Sequence, residues 1–125
     1  MILKPKVYYA HPMSTYGTQQ EANDIKLLKY LKFRVLNPNE PKHQIQCKNR
    51  ANQMEYFLDL VSLCDAVAFR AFQDGMIGAG VAKEIKRAKS ESKPVIELPF
   101  DTTQRELSIE QTRDRIRSIR LWGDK

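Results

Sequence analysis

Residues 65–98 read DAVAFRAFQDGMIGAGVAKEIKRAKSESKPVIEL, and the patterning changes twice within that stretch. After Asp65, AVAFRAF is rich in β-forming residues and stops at the turn pair Asp74-Gly75. From Gly78-Ala79-Gly80 onward the period becomes helical, with Ala82, Ile85 and Ala88 on one face. PVIEL, residues 94–98, is another β-rich run, closed by Pro99. Two strands separated by a helix-length spacer cannot form a tight hairpin. They are predicted to lie parallel, joined by a right-handed crossover.

The same unit recurs toward the N-terminus. Lys6 to His11 (KVYYAH) reads as a first strand, ended by Pro12, and MSTYGT has turn chemistry. From Gln19 a helix is predicted with Ala22, Ile25, Leu28 and Leu31 inward and Lys26, Lys29 and Lys32 outward. Phe33 to Leu36 is a second strand, stopped by the Asn-Pro-Asn-Glu-Pro breaker at 37–41. A polar loop of roughly ten residues follows, longer than an ordinary connection. Met54, Phe57, Leu58 and Val61 then mark a second helix. Leu107 to Ile119 reads as a C-terminal helix, and Arg120 to Trp122 as a short edge strand. Strand and helix alternate four times. The expectation is one α/β domain over 1–125: a doubly wound, mainly parallel sheet of four to five strands with helices on both faces.

Composition narrows the setting. The 125 residues, 42% hydrophobic and 29% charged, suffice for a real core in one domain. No apolar run approaches the ~20 residues that span a bilayer, and the N-terminus lacks a signal-peptide core. Cys47 and Cys64 lack metal-type spacing and read as free thiols of a reducing compartment, so a cytoplasmic location is expected. The net charge of +6 favours phosphorylated small molecules or polyanions. Its lysines and arginines read first as solvated helix faces, so a nucleic acid is not the expected partner, and without a spanning run neither is a membrane.

In a sheet of this kind ligands bind at the carboxyl ends of the strands. That rule sends His11, Ser14, Thr15, Tyr16 and Thr18 to the rim after the first strand. It sends Arg70, Phe72 and Asp74 there after the third. Glu84 sits in the first turns of the next helix, Glu55 lies high and Asp59 lower on the helix before the third strand, and Asp65 belongs at the opposite end. Gly78 and Gly80, opening a helix, either cradle a phosphate with backbone N–H groups or allow close helix–sheet packing. Both readings stand.

With VYYA in the first strand, CDAVAF in the third, GAGVAKEIKRAK at the glycine loop and KPVIELP in the fourth, the chain resembles the nucleoside 2-deoxyribosyltransferase family. That family includes the 2'-deoxynucleoside 5'-phosphate N-hydrolases. The resemblance spans about Lys6 to Pro99. It implies a Rossmann-like, flavodoxin-like fold, Glu84 as nucleophile, Tyr8 as the residue that orients it, and a homo-oligomer, dimer or larger, with neighbouring subunits completing the pocket. The family's second acid falls on Phe57, leaving Glu55 or Asp74 as candidates for that role. The hydrolases' phosphate-binding loop is replaced by HPMSTYGT.

The implied chemistry is cleavage of an N-glycosidic bond, or 2-deoxyribosyl transfer, on a nucleoside or nucleoside 5'-monophosphate. It requires no cofactor and no metal. The rival readings are a non-catalytic nucleotide-binding module on the same fold and a basic nucleic-acid-binding protein.

Overall fold

The computed structural model describes residues 3–99 and 107–123. Four strands, β1 (Lys6–Ala10), β2 (Arg34–Leu36), β3 (Ala66–Phe69) and β4 (Val95–Glu97), form one sheet in the order β2-β1-β3-β4. Every pairing is parallel, with Tyr8 opposite both Leu36 and Val67. The helices are α1 (Gln19–Tyr30), α2 (Pro41–Lys48), α3 (Gln53–Ser62), α4 (Ala79–Ser90) and α5 (Ile109–Gly123), and a short 3-10 turn spans Met13–Thr15. This is the doubly wound α/β architecture. The winding reverses between β1 and β3, which makes their carboxyl ends the topological switch point.

The central strands are buried on both sides, as parallel strands must be when helices cover each face. Val7, Tyr9, Ala66, Ala68 and Leu98 pack with Leu28 of α1 on one face. Tyr8, Leu36, Val67 and Phe69 pack with Tyr56, Leu60 and Val61 of α3 and Val81 and Ala88 of α4 on the other. Asp65 lies at the strand starts, where its Oδ2 accepts from the Lys6 backbone N–H at 2.8 Å. The Thr18 and Asn52 side chains cap α1 and α3, accepting from the N–H groups of Glu21 and Glu55.

Several sequence expectations are corrected. The polar loop after Pro41 is in fact α2. Pro41 stands in its first turn, a favoured place for proline, and only His43 and Cys47 of the helix are buried. Of the row Ala22, Ile25, Leu28, Leu31, Leu28 is buried and Ile25 packs against the core, while Ala22 and Leu31 are exposed; the other buried residues of α1 are Glu21 and Asp24. In α4 Ala88 is buried and Ile85 packs against the core as expected, but Ala82 is exposed, and Val81 and Glu84 are the other buried residues. Arg120 to Trp122 continue helix α5 rather than forming an edge strand. Among the described residues no helix is long and apolar enough to cross a membrane.

Candidate active site

The glutamate of α4 ends up on a buried face because a partner waits there. The Tyr8 hydroxyl, pointing from the middle of β1, donates to Glu84 Oε2. Both residues are buried, Glu84 at 6% exposure. Burial pushes the Glu84 carboxyl up to about 7, and the Tyr8 hydrogen bond works against that rise. Burial, followed by the negative charge of Glu84, raises the Tyr8 hydroxyl well above its ordinary range, so it remains a donor.

Glu84 and Tyr8 face a cleft of about 610 Å³ at the carboxyl ends of the strands. Its walls come from five places: His11 to Ser14 and Tyr16 after β1, Pro38 after β2, Gln44 and Cys47 of α2, Met54 and Phe57 of α3, and Phe72 with Gly78 to Val81 before and within α4. Among the described lining residues Glu84 is the only carboxylate, and no lysine or arginine is present.

His11 is fixed on every side. Its ring stacks on Tyr9 with centroids 3.7 Å apart, Nδ1 lies 2.9 Å from the Tyr9 carbonyl, and Nε2 lies 2.8 Å from Glu21 Oε2. Glu21 also accepts from the Gly17 N–H and from Asn39 Nδ2. Burial alone would raise Glu21, but the bonds from His11, Gly17 and Asn39 outweigh it and hold the carboxyl below its usual range. Burial pulls His11 downward, opposed by the Glu21 and Tyr9 hydrogen bonds. The Tyr9 carbonyl and the Glu21 carboxylate occupy both ring nitrogens, and burial leaves the proton affinity of His11 below the ordinary histidine value. Tyr16 tilts against His11 at 4.8 Å. Burial, and then the charges of Glu84 and Glu21, raise its hydroxyl to about 12.

A second cleft of about 660 Å³ adjoins the first, sharing Pro12, Ser14 and Phe72. Thr15, Thr18, Gln19, Gln20, Asn23, Gln73 and Arg70 line it. The Arg70 guanidinium is buried in an ion pair with Asp24 and also donates to the Pro99 carbonyl at 2.7 Å. Asp24 accepts a further bond from the Tyr9 hydroxyl at 2.5 Å.

The structure therefore brings together Glu84, Tyr8, His11, Ser14, Tyr16, Gly78 and Gly80. Thr15 and Arg70 fall in the adjoining cleft, with Ser14 common to both. Glu55 and Asp74 line neither cleft. Glu55 is exposed in the first turn of α3, and Asp74 is spent on a turn, its Oδ1 accepting from the Met76 N–H at 3.0 Å. Asp59 is exposed and pairs with Arg50. Gly78 allows close packing, since a Cβ there would meet the Phe72 ring at 3.2 Å. Among the described residues no cluster of three or more His, Cys, Asp or Glu could hold a metal.

Sequence reasoning did not anticipate Glu21 and Asp24 as partners of His11 and Arg70. Thr18 and Glu21 sit at the spacing of a capping box, which already accounts for a glutamate there. Nor did it place Phe57, Gln44 and Cys47 in the cleft wall. No protein-family model matches the chain, and no curated protein matches it.

Proposed function

We propose that this protein cleaves, or transfers the sugar across, the N-glycosidic bond of a nucleoside or nucleotide, with Glu84 as nucleophile. The observation that carries this reading is the buried Glu84 carboxylate, tied to the Tyr8 hydroxyl on the wall of a cleft at the switch point of the sheet. A carboxylate with a raised proton affinity in a cleft is a mark of acid–base or covalent chemistry. The resemblance of GAGVAKEIKRAK and VYYA to the 2-deoxyribosyltransferase family points the same way.

In the proposed reaction one Glu84 oxygen attacks C1' while Tyr8 holds the other. The C1'–N bond breaks, and its electron pair leaves with the base. The resulting glycosyl ester is then attacked at C1' by water or by an acceptor base, which restores the carboxylate. The nucleoside or nucleotide is the small-molecule partner, and a cytoplasmic homo-oligomer remains the proposed setting. Ile109, Ile116 and Ile119 of α5 are exposed at 76, 45 and 62%, and they are candidates for burial against a second copy.

The test is to incubate the protein with a panel of nucleosides and 5'-monophosphates, with and without an acceptor base, and to measure free base by chromatography. A slow-deglycosylating 2-fluoro analogue should leave a glycosyl adduct on the Glu84 peptide. Nucleotide binding without base release, equally tight in Glu84→Gln, would instead establish a binding module.

A further inference from the structure

Resting on the N-glycosidase reading, we infer that the bond this cleft cleaves is one to a base that already carries a positive charge, such as a pyridinium or an N-alkylated purine. A neutral base leaving C1' takes the bonding electron pair and becomes an anion unless it is protonated as it departs. A cationic base leaves neutral and needs no proton. The distinction decides whether the site requires a general acid, a contribution typically worth ~10²–10⁴-fold.

Among the described residues of one chain, the cleft is poorly furnished with such an acid. Glu84 is its only carboxylate among the described residues, and it is committed as nucleophile. Glu55, Asp59 and Asp74 are exposed and lie outside it. At Phe57, where the resemblance puts the family's second acid, an aromatic ring lines the wall instead. Both His11 nitrogens are engaged, by the Tyr9 carbonyl and by Glu21. The Tyr16 hydroxyl, raised to about 12, is a weak proton donor at neutral pH.

What the cleft does offer suits a cation. The chain carries a net charge of +6, yet no lysine or arginine is found among the described lining residues, while a buried carboxylate and the aromatic side chains Tyr16, Phe57 and Phe72 are. Aromatic faces and a carboxylate attract a cationic heterocycle most strongly where water is excluded. A positive charge beside Glu84 would also favour its ionised, attacking form, against the burial that raises it.

Matched pairs differing in charge test this. The cationic members are nicotinamide riboside, 7-methylguanosine and 7-methyl-2'-deoxyguanosine. The uncharged counterparts are dihydronicotinamide riboside, guanosine and 2'-deoxyguanosine. Base release is measured on the full chain, with Glu84→Gln as the blank for spontaneous breakdown. The expected result is a kcat/KM at least ~10²-fold higher for the cationic member of at least one pair. Release confined to the nicotinamide pair assigns a pyridinium, and release confined to the methylated purines assigns an alkylated base. A smaller ratio in every pair overturns the inference and leaves the N-glycosidase reading intact. If no substrate, charged or uncharged, in this set or the nucleoside panel releases base above the blank, both fail.

Discussion

The Tyr8 hydroxyl donates to one oxygen of Glu84, so the carboxylate meets the cleft with its rotamer set and its second oxygen available. The bond joins the central strand to α4, two elements brought together by the parallel winding of the sheet. Burial and hydrogen bonding act on Glu84 in opposite directions, and the net effect is a group poised near neutrality.

Glu84→Gln separates chemistry from folding. Gln keeps the shape and can still accept from Tyr8, so the variant is expected to fold and bind nucleotide while base release falls to the blank. Its stability should differ from wild type in a pH-dependent way. The folded protein holds the Glu84 proton to about pH 7, against an ordinary 4.5. Between those values it binds more protons than the unfolded chain, so wild-type stability falls as pH rises across the window. The loss amounts to about 3 kcal/mol, and it should be absent from the variant when urea unfolding is compared at pH 4 and pH 8.

Tyr8→Phe removes the one contact that lowers the Glu84 proton affinity. The ascending limb of kcat/KM with pH, set in wild type near 7 by ionisation of the nucleophile, should move to higher pH. Base release at pH 7 should fall, and part of it should return at pH 9. A profile that falls uniformly without shifting would mean that Tyr8 does not tune the carboxylate.

Asp24→Asn tests a buried carboxylate of α1. Asp24 pairs with Arg70 and accepts from Tyr9. Removing one partner of a buried ion pair leaves the other charge uncompensated, at a typical cost of about 3–5 kcal/mol. The expected outcome is a large drop in the denaturation midpoint. A change within about 0.5 kcal/mol would show that Arg70 finds equivalent partners.

Assembly is tested through α5. Light scattering at micromolar concentration is expected to give a dimer or larger. Replacing Ile116 and Ile119 together by Glu should shift the population toward monomer. A wild-type monomer would remove the case for a pocket shared between subunits.

The β-rich runs at 6–11 and 66–72 were legible because a parallel strand covered on both faces must be apolar almost throughout. The half-exposed edge runs at 33–36 and 94–98 were legible because breakers bound their β-forming residues. Helix α2 was not, since PKHQIQCK buries little beyond His43 and Cys47 and shows no apolar period. The rim rule placed Glu84, His11, Ser14 and Tyr16 correctly because strand order fixes height above the sheet. It gives no azimuth around a helix, which is why Glu55 sits at a plausible height and yet outside the cleft. The buried faces of α1 and α4 were read only in part, Leu28 and Ile25 in one and Ala88 and Ile85 in the other, for a related reason. Carboxylates occupy them, and a hydrophobic period cannot register a residue whose burial depends on a partner elsewhere in the chain.

The two clefts share Phe72, whose ring bears on Gly78 at the start of α4. A side chain that walls two chambers cannot shift for one occupant without reshaping the space left for the other. Wherever a ligand moves Phe72, the two affinities become linked, and the linkage is reciprocal by thermodynamic necessity. The nature of a molecule in the polar chamber then bears on which molecules the acidic chamber accepts.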